Sequence, residues 1–184
     1  AIVALLARIG TSDPVEPIVD VERLIASFDF ARFGRAPARF DEEELAQLNQ
    51  KIVHLLDYDA VESRLPKAMT AEAWAVIRPN LHDMGDVDQW WQVVTGPISV
   101  PEMSSDDREF LSVAHAALED LEASDELWKR LTEALKTATG RKGKPLFMPL
   151  RQALTGLEHG PDMNALLPLI GREAALTRLA EAAA

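Results

Sequence analysis

The sequence predicts an all-α protein, a helical bundle in two parts, and three observations carry that prediction. Apolar residues recur at the i, i+3, i+4 spacing of a helix face along most of the chain. No stretch alternates apolar and polar residues or clusters β-branched ones as a strand does. Capping residues and Gly or Pro stops bracket the periodic segments. With 184 residues, 47% of them hydrophobic and 27% charged, the chain can bury a sizeable core as one domain or two small ones.

Taken in order, Ile2–Ile9 reads as an amphipathic helix stopped by Gly10. The segment 11–20 carries turn chemistry with two prolines, and a short helix starts at Val21. Phe28–Phe40 reads as a structured loop, its aromatics serving as anchors and Arg32, Arg35 and Arg39 pointing elsewhere. Asp41 caps a helix from Glu42 to Leu56, with Glu44 at the capping-box position and acids in the first turn. Shorter helices follow over 58–65, from a Thr70 cap to about Pro79, and over 86–94.

The stretch Thr95–Asp107, with Gly96, Pro97 and Pro101, is the expected boundary between the two parts. Ser104 or Ser105 caps the next helix, and Ser124 caps one that ends at Gly140. Three short helices, Phe147–Leu154, Asp162–Ile170 and Arg172–Ala183, close the chain.

The absences exclude several chemistries. There is no cysteine, so disulfides and thiolate metal sites are impossible; a cytoplasmic setting is expected. The apolar start at residues 1–10 is far shorter than the roughly 20 residues of a membrane span and lacks signal-peptide features, so no membrane is expected. The four histidines lie in separate segments without metal-ligand spacing, and no metal site is expected. No phosphate-binding glycine loop and no nucleophile elbow is present. The acidic clusters at 41–44 and 106–107 read as helix N-termini, where the backbone dipole favours negative charge. No catalytic residue is therefore expected, nor any cofactor.

The formal net charge is −11, which argues against a generic nucleic-acid coat but leaves room for a local basic site. One such site stands out. From Ala134 to Leu157 there is no Asp or Glu, although 30 acids in 184 positions would put about four in such a window, while Lys136, Arg141, Lys142, Lys144 and Arg151 all fall there. Taken alone, a charge run is most often a solvated loop. The functional alternative is contact with phosphates and bases, for which Arg151 on a helix start is better placed than a lysine on a loop. Of Trp74, Trp90, Trp91 and Trp128, at least three read as core; one of the adjacent pair Trp90–Trp91 could stack on an unpaired base.

Three segments carry a family resemblance: FDFARFGRAPARFDEEELAQLN, GKPLFMPLRQALTG and GPDMNALLPLIGREAALTRL. Together they resemble the C-terminal half of bacterial glutamyl-tRNA synthetases. The last two lie in that family's order: a lysine/glycine loop, PLR-x-ALTG, a GP turn, then LLG-K/R-E-x-x-L-x-RL, with Ile170 replacing the usual Leu. The HIGH-type and KMSKS-type sequences of the family's catalytic half, which hold ATP and the aminoacyl adenylate, do not occur here.

The resemblance thus implies a part of a longer enzyme, inactive by itself, with ATP and Mg handled in the other half. It implies the end of the stem-contact domain over residues 1–40, then anticodon-binding subdomains over 41–100 and 101–184. By motif position it also implies that Arg151, Gly160 and Met163 approach anticodon bases. Arg141, Lys142 and Lys144 are the expected tRNA backbone contacts.

Discriminating members carry an RPR segment whose arginine helps to read the last anticodon base. Here the segment is Arg78, Pro79, Asn80. That base is cytosine in tRNA(Glu) and guanine in tRNA(Gln), and Asn lacks the cationic fork of Arg. The expected partners are therefore tRNA(Glu) and, by relaxed recognition, tRNA(Gln), with the protein a monomer. The other reading is a helical protein-interaction domain whose basic strip meets an acidic partner.

Overall fold

The structure, a computed structural model, describes residues 1–184 except 123 and 125. Among the described residues it is helical and has no sheet; an isolated bridge, Thr11 with Phe33, is the one strand-like pairing. The chain forms two compact units, Ala1–Val87 and Asp88–Ala184. Their division precedes the boundary expected at Thr95–Asp107, so all but the first residue of the helix bearing Trp90 and Trp91 goes with the second unit.

In the first unit, α1 (Ile2–Leu6), α2 (Val21–Ala26) and α3 (Glu42–Val53) enclose a small core of Ala4, Leu5, Ile18, Leu24, Leu48 and Ile52. α1 is shorter than its apolar pattern, because residues 7–10 turn and Gly10 takes a φ of +83°. Asp41 caps α3 as predicted, accepting from the Glu43 and Glu44 N–H groups.

The loop 28–40 differs from expectation. Phe28, Phe30 and Phe33 lie against one another on the surface instead of anchoring the core. Arg32 turns back to Asp13 at 2.6 Å, while Arg35 and Arg39 are exposed.

Two short helices, α4 (Tyr58–Val61) and α5 (Ala71–Ile77), pack through Val61, Trp74 and Ile77. α5 runs into a 3-10 turn over Arg78–Asn80, where Pro79 ends the α-helical ladder. Tertiary polar bonds tie this end together. Trp74 Nε1 donates to the Leu56 carbonyl at 2.9 Å and the Tyr58 hydroxyl to that of Met69 at 3.0 Å.

The second unit is a bundle of α6 (Val87–Thr95), α7 (Ser105–Glu119), α8 (Leu127–Thr139), α9 (Lys144–Thr155), α10 (Met163–Ile170) and α11 (Arg172–Ala183). Phe110, Leu111, Ala114 and Leu118 of α7 share an i, i+1, i+4, i+8 spacing with Leu127, Trp128, Leu131 and Leu135 of α8, and both stripes are buried. Ser104, not Ser105, caps α7, accepting from Asp107 N–H. At α8 the Leu127 N–H meets the Ser124 carbonyl, and Glu126 occupies the cap position assigned to Ser124.

Arginines close several helix ends. Arg172 donates to the carbonyls of Leu118, Glu119 and Leu121 at the end of α7, where a cation also suits the helix dipole. Arg178, 6% exposed, is the one buried cation among the described residues. Its Nη1 donates to the Leu154 carbonyl at 2.7 Å, and its Nη2 to those of Gly96 and Val94 at 2.9 and 3.4 Å. It thereby joins the ends of α6 and α9 to α11.

Arg141 holds α9 to α7. Its guanidinium lies over the Phe110 ring and donates to Asp107 at 2.6 Å and to the Asp106 carbonyl at 2.8 Å. It also donates to the carbonyl of Pro145 at 3.2 Å. That carbonyl is the one freed in α9 by Pro149, which has no N–H to offer four residues later.

The hydrogen bond from Arg141 holds the Asp107 carboxyl below the usual carboxylate range, with a second from Ser104. A depressed folded-state pKa adds stability above the ordinary carboxylate range, and that stability is lost as pH falls through the folded value. Asp107→Asn should therefore remove on the order of 1 kcal/mol at neutral pH and little in strong acid. Urea unfolding of both proteins across that range measures it; parallel pH curves would show that the pair contributes nothing.

Candidate nucleic-acid interface

The acid-free strip forms the end of α8, the loop 140–143 and α9. Gly140 ends α8 in the left-handed region, at φ +69°, and Gly143 opens α9 at φ +58°. α9 starts at Lys144, three residues earlier than the apolar pattern indicated, with Pro145 in its first turn. Lys142 and Lys144 are exposed. Arg141 is not free in the same sense: Asp107 neutralises it, and its donors serve the packing of α7 on α9.

Arg151 sits one turn before the end of α9, and the turn that follows is tightly specified. The Thr155 hydroxyl donates to the Arg151 carbonyl at 2.7 Å and accepts from Leu157 N–H at 3.1 Å. Gly156 takes φ +74°, and a Cβ there would lie 2.5 Å from the Ser99 carbonyl, so no larger residue fits. The chain returns through Gly160 and Pro161, and Arg151 Nη2 donates to the Pro161 carbonyl at 3.0 Å.

Arg151 Nη1 is buried without a hydrogen-bond partner, the one such side-chain atom among the described residues. An unmet guanidinium nitrogen is costly unless something supplies an acceptor. Burial holds the Arg151 pKa below its ordinary value, with Asp162 opposing in part. An arginine remains cationic in such a setting.

Gly160, at φ +140°, lies beside it: a Cβ would fall 3.5 Å from Nη1 and 2.5 Å from Trp90 Cη2. The structure therefore brings Arg151 and Gly160 together and adds Trp90. Nothing in the sequence marked Trp90 as the neighbour of Gly160, because the two are 70 positions apart. Trp74, Trp90 and Trp128 are buried and Trp91 is half-buried.

Met163 does not present its side chain. As the first residue of α10 it faces the core with Leu166, Leu167 and Ile170, and is 4% exposed. In the first unit, Arg78 Nη1 donates to the Leu56 carbonyl at 2.7 Å and lies 3.6 Å from Asp57, so part of its fork is used locally. Asn80 is half-exposed at the end of the same 3-10 turn.

Among the described residues no group of His, Asp and Glu could hold a metal ion, and no helix is long and apolar enough to cross a membrane. What the arrangement offers is a buried cationic donor beside a tight return loop, with Lys142 and Lys144 exposed at the start of the same helix. Such donors suit base edges and phosphates.

Comparison with known proteins agrees. Residues 99–183 match the anticodon binding domain family. Glutamate–tRNA ligase 1 of Rhizorhabdus wittichii is 56% identical over 183 residues, covering 100% of this chain and 41% of that protein. Glutamate–tRNA ligase 2 of Erythrobacter litoralis is 54% identical, again over 100% of this chain and 40% of the relative. The chain thus spans about two-fifths of the length of the curated relatives it matches. A solved glutamate tRNA ligase from Elizabethkingia meningosepticum, crystallised with its amino acid, shares the fold with a TM-score of 0.79 over 99% of this chain at 22% identity. The chain is therefore similar along its whole length to a part of the glutamate–tRNA ligases, and its residues 99–183 are similar to the anticodon binding domain family.

Proposed function

We propose that the second unit reads the anticodon of a tRNA, with Arg151 as the base reader. The observation that supports this best is the unpaired Arg151 Nη1 beside Gly160. A base edge offering O6 and N7, or a single carbonyl, would supply the acceptor that the protein withholds. Gly160 lets the return loop pass close against Trp90 and Arg151, and Met163 follows it at the start of α10. Lys142 and Lys144 contact tRNA phosphates, while Arg141 acts as the strut that places their loop.

On this reading the chain serves a longer, cytoplasmic glutamate–tRNA ligase that attaches glutamate to tRNA(Glu) with ATP and Mg, bound outside residues 1–184, and that acts as a monomer. Arg78 and Asn80 in the first unit meet the last anticodon base. Because Asn80 replaces a second arginine, tRNA(Gln) is accepted as well. Binding of both tRNAs with similar strength is the expected result; strong exclusion of tRNA(Gln) would refute relaxed recognition.

Arg151→Ala should weaken tRNA binding by about 1–3 kcal/mol and flatten the preference at one anticodon position. Lys142→Ala should instead weaken all tRNAs alike and reduce the salt slope by about one. Titrations with anticodon-substituted tRNAs at several salt concentrations separate the two. Binding that ignores the anticodon in the unaltered protein would favour the acidic protein partner.

A further inference from the structure

Phe147 is a large apolar side chain left 38% exposed inside the most basic stretch of the chain. Its setting differs from that of Phe28, Phe30 and Phe33, which lean on one another. Trp128, itself buried, backs the Phe147 ring at a centroid distance of 6.2 Å and a tilt of 36°. Lys136 Nζ lies 5.7 Å from the ring centre.

Phe147 also occupies a particular place on α9. Lys144, Phe147 and Arg151 stand at i, i+3 and i+7, so they form one stripe along the helix. The axial separation of Phe147 from Arg151 is about 6 Å. That exceeds the roughly 3.4 Å between stacked nucleotides, and fits two neighbouring bases splayed apart, the arrangement in which proteins read single-stranded RNA. Every base has a π-face, so an aromatic ring backed by a buried tryptophan among lysines suits an unpaired nucleotide without reading its identity.

We infer that Phe147 is a stacking platform for an unpaired nucleobase of the tRNA anticodon loop, next to the base at Arg151, with Lys136 and Lys144 flanking the backbone. This rests on the anticodon-reading role of the second unit. The assignment divides the labour along α9: Arg151 discriminates, Phe147 grips.

The test uses the 184-residue chain and an anticodon stem–loop RNA, with abasic substitutions at each loop position in turn. Phe147→Leu should weaken binding about tenfold for every anticodon, and Phe147→Trp should keep or improve it. The salt slope should not change, because no charge is lost. One abasic position should weaken the unaltered protein by the same factor, still do so in Arg151→Ala, and have no further effect in Phe147→Leu.

Wild-type affinity in Phe147→Leu, or an abasic penalty that persists in it at every position, overturns the inference. If Arg151→Ala still relaxes the anticodon preference in that case, anticodon reading stands and stacking alone falls. If the stem–loop shows no anticodon dependence with the unaltered chain, both fall. Should Phe147→Leu lower the melting temperature, Phe147→Met fills the volume against Trp128. The abasic series in Arg151→Ala then tests stacking without altering Phe147: no abasic position with a tenfold penalty there overturns it.

Discussion

Arg178→Met should destabilise the second unit by about 3–5 kcal/mol, the largest loss expected of any single change away from the apolar core. Methionine matches much of the arginine's length and would leave little cavity. The cost comes from the partners instead. The carbonyls of Leu154, Val94 and Gly96 would lose their donor, and Leu154 and Val94 are almost wholly buried. Each orphaned buried acceptor costs about 1–3 kcal/mol.

Burial pushes the Arg178 pKa down, with Glu181 opposing, and the side chain stays charged because arginine loses its proton only far above physiological pH. Lysine in its place should recover part of the loss, since one ammonium cannot span three carbonyls as a planar fork does. Urea unfolding monitored by helix circular dichroism measures all three proteins. A loss below about 1 kcal/mol for Arg178→Met would mean that water replaces the guanidinium at little cost.

Gly160→Ala should lower stability by about 2–4 kcal/mol and remove the anticodon preference together with it. Two effects add. The backbone at φ +140° is one that side-chain-bearing residues rarely adopt, and the new Cβ would meet Trp90 Cη2 and Cζ3 at 2.5 and 2.8 Å. Trp90 is 8% exposed and cannot swing away without leaving a void. Either the return loop or the ring must move, and Arg151 lies beside both.

Gly140→Ala is the matched control. It has φ +69° with nothing within 4 Å of the added atom, so strain alone acts and the cost is about 1 kcal/mol. Adding Trp90→Phe to Gly160→Ala should restore part of the stability, because the colliding atoms belong to the ring that phenylalanine lacks. Equal losses for the two glycine variants would show that the Trp90 contact is not as close as described.

Local order is legible in the sequence wherever one segment decides it alone. Asp41 before three glutamates and an apolar stripe, or Gly140 after one, sets a helix limit through bonds within a few residues. Boundaries depart from the pattern where a distant group intervenes. α9 can begin at Lys144 and run through Pro149 because Arg141 meets the freed Pro145 carbonyl, a bond invisible to pattern. In the loop 28–40, aromatic and basic side chains are interleaved, and their order does not say which of them find a core.

At the site the same line divides what pattern shows from what it hides. Motif marks Arg151 and Gly160, and the absence of acids marks Lys142 and Lys144. Neither signal reaches Trp90 or Arg178, since each acts on residues more than 20 positions away.

Composition, and spacings of one to four residues, were enough to establish that this protein is helical, where most of its helices lie and which strip of an acidic chain is basic. Longer motifs added the resemblance to one tRNA ligase family. These features are local because the backbone's own hydrogen bonds impose them over a turn or two. Which cations on that strip are spare is a property of the folded chain alone. Arg141 is neutralised by Asp107, Arg151 keeps one nitrogen unmet, and Phe147 stays half in water on Trp128. Whether a charged or aromatic group is free depends on what lies within a few ångströms of it, and only folding brings those neighbours there.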